Sequence, residues 1–132
     1  MTLVIDASVV VAGLVDGGPV GEWAATLLAS GGLAAPHLMP AEVANILRRA
    51  ALAGDVSADV ASLAHADLLD LRVALFPYEP FGDRVWDLRS NITAYDGWYV
   101  ALAESLSAPL ATLDQRLRRS PGPRCELLTP PG

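Results

Sequence analysis

Acidic side chains stand at the ends of predicted elements at four places in this 132-residue sequence. Asp6 and Asp114 each come directly after a short apolar run that is typical of a buried strand. Glu42 and Asp96 each lie in the opening turn of a helical pattern. Oxygen ligands without His or Cys point to Mg²⁺ or Mn²⁺, and such a pocket suits phosphodiester hydrolysis. If the fold brings these carboxylates together, they form a site for a hard divalent cation.

Each of these acids also has a purely structural explanation. Asp6 could cap the helix that follows it, and Asp114 could be the first residue of a turn. Glu42 complements a helix dipole, and Thr93 with Asp96 has the spacing of a capping box. For each acid taken alone, a structural role and a functional role explain its position about equally well. The two roles are compatible, because a carboxylate at a helix N-terminus is held ionised and oriented.

The elements that must position these acids alternate along the chain. The apolar runs predict strands over Thr2–Ile5, Leu33–His37, Val73–Phe76 and Pro109–Leu113, with a fifth possible at an edge over Glu126–Thr129. The helical patterns cover Val9–Val15, Glu22–Ala29, Glu42–Leu52, Ala58–Leu71, Phe81–Ser90 and Ala94–Ser107. The apolar face of the fourth helix is expected at Val60, Leu63, Leu68 and Leu71. Strands separated by helices predict a single α/β domain over residues 1–132, a three-layer sandwich with a central parallel sheet of four to five strands.

A strand order of 3-2-1-4-5 would bring the acids to one place. Ligands of open parallel sheets bind beyond the carboxyl ends of the strands, where the strand order reverses. In this order the reversal lies between the first and fourth strands, so that Asp6 and Asp114 flank it. Glu42 reaches it from one side, and the helix of Asp96 starts at the same end. Like charges this close raise one another's pKa and destabilise the fold unless a cation compensates.

The composition argues against several kinds of site. With one cysteine and two histidines, an internal disulfide is impossible and a zinc site of the usual kind is not expected. The net charge of −6 and the absence of lysine make the chain a poor non-specific binder of nucleic acid. Arginines are grouped at Arg48 with Arg49 and at Arg116 with Arg118 and Arg119. These groups fit a local RNA contact or ordinary solvated helix ends.

The hydropathy bears on location and partners. No apolar run approaches the roughly 18 residues that span a bilayer, and the N-terminus has no basic leader. A cytoplasmic protein without a membrane segment is therefore expected, in keeping with the lone Cys125. The apolar fraction of 52% and the mean hydropathy of +0.37 indicate a surface for a partner or a second copy, or an alanine-rich composition.

Three rival families of small α/β proteins fit the sequence poorly. A phosphoacceptor receiver domain needs paired acids after the first strand and a lysine near the last, and the chain has no lysine. A haloacid-dehalogenase-type phosphatase needs D-x-D where this chain has Asp6-Ala7-Ser8. A nucleotide-binding domain would show a glycine-rich phosphate loop. A catalytically inactive module that binds RNA or a partner through the same fold stays open as an alternative.

Three stretches carry a resemblance to a known family. They are "LVIDASVVVAGL" at 3–14, "PHLMPAEVANILRRA" at 36–50 and "ITAYDGWYVALAESLSAPLATLDQRL" at 92–117. The chain resembles PIN-domain ribonucleases, and specifically the toxin halves of VapBC-type toxin–antitoxin pairs. Residues 51–91 match mainly in length and pattern. Gly97 departs from the resemblance, since the family more often has Ala or another helix former there.

The resemblance implies an Mg²⁺- or Mn²⁺-dependent endoribonuclease that inhibits translation or growth. Its catalytic and metal-binding acids would be Asp6, Glu42, Asp96 and Asp114, with Asp6 and Asp96 holding the principal ion. The supporting polar residues would be Ser8, Asn45 and Thr112. Water would be the nucleophile, and the products would have 5′-phosphate and 3′-hydroxyl ends.

The resemblance also implies partners. The substrate would be a transfer or ribosomal RNA, selected by loops that carry arginines. The candidate RNA-binding residues are Arg48, Arg49, Arg84 and Arg116. A VapB-type antitoxin would insert its tail into the acidic pocket. The protein would pair as a homodimer, and a larger toxin–antitoxin assembly would be possible.

Overall fold

The computed structural model of the protein describes all 132 residues and contains one five-stranded parallel sheet. The strands are β1 Leu3–Ile5, β2 Leu33–Pro36, β3 Val73–Phe76, β4 Leu110–Ala111 and β5 Leu127–Leu128. Their order across the sheet is β3-β2-β1-β4-β5. In register, Val4 of β1 lies between Ala34 of β2 and Leu110 of β4. The predicted fold class and strand order are confirmed.

Seven α-helices flank this sheet. They are α1 Ala7–Val15, α2 Pro19–Ala29, α3 Met39–Leu52, α4 Ala58–Asp70, α5 Gly82–Asp87, α6 Ala94–Leu106 and α7 Gln115–Arg119. A single turn of 3₁₀-helix, Glu79–Phe81, leads into α5. None of these helices combines the length and the apolar character that crossing a membrane requires.

The hydrophobic core lies around the three central strands. β1 is buried along its whole length, as expected for a parallel strand covered on both faces. Helix α6 contributes a continuous buried run from Tyr99 to Ala103, including Val100 and Leu102 with no exposed surface. The short strands and this buried helix form a rigid base, and the ends of β1 and β4 emerge from it side by side.

The fourth helix packs differently from the prediction. Val60 and Leu63, expected on its buried face, are 43% and 68% exposed, so this part of the prediction is wrong. The predicted Leu68 is buried, together with Ala64, which was not predicted and lies one turn away on the same face. Because α4 lies at the periphery, against α3 and α1, it needs only this narrow stripe.

Other boundaries shift for local reasons. Helix α2, predicted to start at Glu22, starts at Pro19, a position where the fixed φ of proline suits a helix. The helix predicted to end at Ser90 ends at Asp87. Helix α7 was not predicted, since its five residues carry no amphipathic period that a sequence window could detect.

Gly97 allows α6 to approach α5 closely. A Cβ at this position would lie 3.2 Å from Cγ1 of Val85, which is itself buried. The departure from the alanine usual in the resembling family therefore has a packing explanation. It brings the first turn of α6, with Asp96, against the end of α5.

Candidate active site

Four carboxylates line one cavity of about 350 Å³ at the carboxyl ends of the central strands. They are Asp6 after β1, Glu42 in α3, Asp96 in α6 and Asp114 after β4. The structure thus places the four predicted acids on the walls of a single depression, which we call the acid cavity. Ser8 and Tyr99 line the same depression.

Each of the four acids also lies at the N-cap or in the first turn of a helix. Asp6 is the N-cap of α1 and Asp114 is the N-cap of α7. Glu42 and Asp96 lie in the first turns of α3 and α6. The partial positive charge at each helix N-terminus therefore faces the cavity and favours the ionised acids. The structural roles predicted for these residues therefore leave all four on the lining of the cavity.

Asp6 is oriented by its own turn and by the neighbouring strand. Its Oδ1 accepts from the hydroxyl of Ser8 at 2.6 Å and from the backbone N–H of Val9 at 3.1 Å. The Ser8 oxygen in turn accepts from the N–H of Leu113 at 3.2 Å, across 105 positions of sequence. This hydroxyl joins the end of β1 to the end of β4, and so it fixes Asp6 relative to the loop that carries Asp114.

Asp114 is oriented in a similar way from β4. The buried hydroxyl oxygen of Thr112 accepts from the N–H of Asp114 at 3.0 Å. Oδ1 of Asp114 accepts from the N–H of Arg116 at 2.9 Å and lies 3.5 Å from its Nε. Thr112 therefore acts behind the cavity wall, where it holds the turn that presents Asp114.

Glu42 is held by a residue that the sequence analysis missed. The hydroxyl of Tyr99 donates to Oε1 of Glu42 at 2.7 Å, and the tyrosine ring is buried in the core. Tyr99 lies three positions after Asp96, on the same side of α6. That spacing from a candidate acid was the one signal in the sequence that could have identified it.

Burial raises the pKa of three of these acids, Asp6, Glu42 and Asp96, above their ordinary values. The negative charges also act on one another: Asp96 raises the pKa of Asp6, and Asp114 raises that of Asp96. Hydrogen bonds oppose these effects, from Ser8 to Asp6 and from Tyr99 to Glu42. The cavity therefore concentrates negative charge that its own donors offset only in part.

The donor set fits a hard divalent cation. No three Asp, Glu, His or Cys side chains are arranged so that they could hold one ion together. Mg²⁺, however, usually takes only one or two protein carboxylates and keeps water and substrate oxygens in its other positions. Acids that line one cavity without forming a closed cage meet this requirement. Burial is the main cause of the raised pKa values, and repulsion between the acids, which a cation would relieve, adds to it.

Other residues expected at the site lie elsewhere. Asn45 is exposed on α3 and does not line the acid cavity. Arg48 borders a separate depression between α3 and α4, and Arg49 is exposed. Arg84 donates to both carboxylate oxygens of Glu104, at 2.7 and 3.1 Å.

The Arg84 pair ties the C-terminal segment to the helices. Arg84 also donates to the carbonyl oxygen of Gly122 at 2.9 Å, and the N–H of Arg124 donates to Glu104 at 2.7 Å. Burial raises the pKa of Glu104, but these donors outweigh it and the net pKa is lowered. The guanidinium of Arg84 is thus occupied within the fold.

A second depression adjoins the acid cavity. It measures about 490 Å³ and shares Asp96 and Asp114 with that cavity. Its remaining polar wall consists of Arg89, Ser90, Asn91, Thr93, Arg116 and Ser120. We call it the basic trough after Arg89 and Arg116, although Asp96 and Asp114 in its lining balance their charge. Of the arginines predicted to contact RNA, Arg116 alone reaches it, and Arg89 was missed because it lies in a segment without a recognisable motif.

Comparison with known proteins assigns the family. The PIN domain family matches residues 3–122. The chain belongs to the PIN-domain family. Ribonuclease VapC1 of Mycobacterium tuberculosis is 41% identical to this PIN domain over 125 residues, which cover 94% of both chains. The family predicted from the three sequence stretches, including its VapC type, is confirmed.

Solved structures show the same fold as this PIN domain. VapC20 of Mycobacterium tuberculosis, a toxin that cleaves the sarcin-ricin loop, has a TM-score of 0.67 at 16% identity, covering 89% of this chain and 94% of that one. VapBC2 of Rickettsia felis, bound to a DNA fragment from its promoter, has a TM-score of 0.67 at 14% identity, covering 98% of each chain. At these identities the likeness concerns the fold.

Proposed function

We propose that the protein is an endoribonuclease dependent on Mg²⁺ or Mn²⁺ and the toxin of a type II toxin–antitoxin pair. One observation carries the proposal: four carboxylates from separate parts of the chain line one cavity at the carboxyl edge of the sheet. The 41% identity to Ribonuclease VapC1 supports the same activity. As proposed, a single PIN-like domain, residues 1–132, carries the site, and the protein acts in the cytoplasm.

Asp6 and Asp96 would hold the principal ion, with Glu42 and Asp114 nearby, directly or through water. Oδ1 of Asp6 is fixed by Ser8 and Val9, and the Thr112 hydroxyl also interacts with this carboxylate and opposes the rise in pKa that burial causes, so the group is oriented before a ligand binds. The chemistry that the ion supplies when bound is a lowered pKa for a water molecule and stabilisation of charge on phosphate oxygens.

The protein's own side chains orient the carboxylates of the cavity. Tyr99 holds one oxygen of Glu42, which fixes the carboxylate and leaves Oε2 free to accept a hydrogen bond from water or to bind an ion. Asp114 is fixed by the N–H of Arg116, and Thr112 supports its turn. Hydrolysis by water at such a site leaves 5′-phosphate and 3′-hydroxyl ends.

The substrate is proposed to be a transfer or ribosomal RNA. Support comes from VapC20, whose target, the sarcin-ricin loop, is an RNA element. Arg116, at the rim shared by the acid cavity and the basic trough, is the proposed RNA contact with the best position. Arg48 and Arg49 on α3 would contact the RNA farther from the acids.

A VapB-type antitoxin is the proposed protein partner, and the chain is proposed to form a homodimer within a larger complex. The likeness to VapBC2 of Rickettsia felis supports the pairing. Large apolar side chains stand exposed on α3 and α4, at Leu52, Leu63 and Leu69. Exposed apolar side chains on two adjacent helices are suited to an interface.

Sequencing of RNA ends after expression of the protein without a partner tests the activity. We expect new 5′-phosphate ends at a small number of positions. Asp6→Asn and Asp96→Asn should abolish them, with a loss of several orders of magnitude in rate. Asp59→Asn, at an exposed acid in the first turn of α4, is the control and should cleave normally.

The alternative is a catalytically inactive module that binds RNA or a partner through the same cavity. The observation that bears on it is the absence of any preassembled group of three ligands. A module of this kind would leave RNA ends unchanged on expression, and its RNA binding would survive Asp6→Asn and Asp96→Asn.

A further inference from the structure

We propose that the basic trough binds a phosphate of the RNA strand next to the scissile phosphate, with Arg89 as its principal contact. This rests on the proposed function, since the RNA substrate supplies the phosphate. The trough and the acid cavity share Asp96 and Asp114. A strand with one phosphate among the acids therefore continues into the trough without leaving the protein surface.

Arg89 is held in place before any ligand arrives. Its Nη1 donates to the carbonyl oxygen of Trp86 at 2.8 Å, and its guanidinium lies 4.7 Å from the centroid of the Trp86 ring. A guanidinium has five N–H donors, so most of them stay free for an anion. Because the side chain is already ordered, binding an anion costs little further conformational entropy.

Arg89 also differs from its neighbours in having no acid partner. The two ion pairs of the chain join Arg84 to Glu104 and Arg116 to Asp114. The charge of Arg116 is thus shared with a carboxylate of the acid cavity, whereas that of Arg89 is not. An unpaired, oriented guanidinium in a polar trough is suited to binding a phosphate through two parallel hydrogen bonds.

The surroundings favour a nucleic-acid strand over an acidic peptide. Trp86 is 65% exposed, and its ring lies beneath Arg89, beside the trough and not in its lining. A nucleotide brings a flat base together with its phosphate, and exposed aromatic rings beside cations are typical contacts of single strands. Ser90 and Asn91, on the same wall, offer further hydrogen-bond donors to phosphate or sugar oxygens.

The test uses a short synthetic RNA that carries the cleavage site mapped by end sequencing. Binding is measured by fluorescence anisotropy in chelator, where cleavage does not interfere, over a range of salt concentrations. We expect Arg89→Gln to weaken binding about tenfold, as for the loss of a charged hydrogen bond. The slope of log Kd against log salt should fall by about 0.7 to 1.

Single linkages of this RNA are then replaced by neutral methylphosphonate, one at a time. At one linkage flanking the scissile phosphate, neutralisation should weaken binding by wild type about as much as Arg89→Gln does. At that linkage wild type and variant should bind equally, because the two changes remove the same contact. A difference between wild type and variant that persists at every linkage would overturn the proposal.

Arg72→Gln is the matched control. It removes the same charge from an exposed arginine just before β3, at the opposite end of the sheet, and it should bind like wild type. Equal binding by Arg89→Gln and wild type would overturn the proposal and would favour an acidic peptide as the occupant of the trough. Cleavage of the unmodified RNA by wild type tests the proposed function separately.

Discussion

The hydroxyl of Tyr99 donates to Oε1 of Glu42 at 2.7 Å, which joins the buried part of α6 to the opening turn of α3 inside the acid cavity. The two residues are 57 positions apart in sequence. Since the ring of Tyr99 is packed in the core, its hydroxyl holds Glu42 in a fixed position on the cavity wall.

Tyr99→Phe should therefore impair the site more than the fold. Phenylalanine keeps the buried ring, so we expect the free energy of unfolding to fall by about 1 kcal/mol or less. Cleavage and Mn²⁺ affinity should fall about 10- to 100-fold, as is usual when a residue that orients a ligand is lost. Tyr78→Phe is the control, because Tyr78 is 38% exposed and contacts Trp98 edge-on. Equal effects of the two variants on Mn²⁺ affinity would contradict this role.

Millimolar Mg²⁺ or Mn²⁺ should raise the melting temperature of the wild-type protein. A ligand that binds only the folded state stabilises it by mass action, by about 2.7 kcal/mol at one hundred times its Kd. Asp6→Asn should remove most of this response while it keeps an oxygen to cap α1. Differential scanning fluorimetry with and without metal measures both, and Asp59→Asn should respond like wild type. An undiminished response in Asp6→Asn would place the ion elsewhere.

The stability of the metal-free protein should depend on pH through Asp6. Burial raises the pKa of this carboxyl above 3.8, so the folded state holds its proton more tightly than the unfolded state does. This contribution to stability is present in full below pH 3.8 and is lost as the pH rises through the folded pKa. Asp6→Asn should therefore melt a few degrees higher than wild type near neutral pH, with the gap closing towards pH 4. Melting in chelator across this range checks it, and a gap that widens on acidification would contradict it.

Glu104 should make the stability depend on pH in the opposite direction to Asp6. Burial raises its pKa, but the hydrogen bonds from Arg84 and Arg124 prevail and the net pKa lies below 4.5. Its contribution to stability is thus present above pH 4.5 and is lost as the pH falls through the folded pKa. Glu104→Gln should cost about 1–2 kcal/mol at neutral pH, as for charged hydrogen bonds. Urea unfolding at several pH values measures this, and the cost should shrink in acid while RNA cleavage at neutral pH is retained.

Gly97 and Val85 should be coupled energetically. Gly97→Ala improves helix propensity by about 1 kcal/mol, but its Cβ would lie 3.2 Å from the Val85 methyl group. We expect the substitution to be neutral or destabilising in wild type and stabilising by about 1 kcal/mol in a Val85→Ala background. Denaturant unfolding of the four proteins gives the coupling. Additive effects would show that α5 and α6 separate freely at this contact.

Much of the fold could be predicted from the sequence, because the parallel strands are short apolar runs that are separated by helical patterns. The five strands follow from runs such as Val73–Phe76, which matches its prediction at both ends. Their order was a hypothesis, chosen because it brings the acids to one place, and the structure confirms it. The sequence could not show which side of a peripheral helix is buried, since Leu63 and Leu68 are equally apolar. Helix α7 escaped because one turn and a half carries no period.

The candidate site could be predicted only in part. The acids stand at element ends, where local sequence marks them, and the structure brings Asp6, Glu42, Asp96 and Asp114 to one cavity. The acids proposed to carry the chemistry were predicted, and so were Ser8 and Thr112, which orient two of them. Tyr99 and Arg89 were not predicted, because their roles depend on a contact with a distant segment and on the packing of a neighbouring ring.

The coincidence of cavity acids with helix starts also constrains how this chain can diverge. Replacing Asp6 or Asp114 by an aliphatic residue would fray α1 or α7 while it silences the chemistry. Asparagine or serine would silence the chemistry and spare the helix. Descendants that retain the fold but lose the activity should therefore carry small polar residues at these positions. The former acid positions could then still be recognised from the sequence.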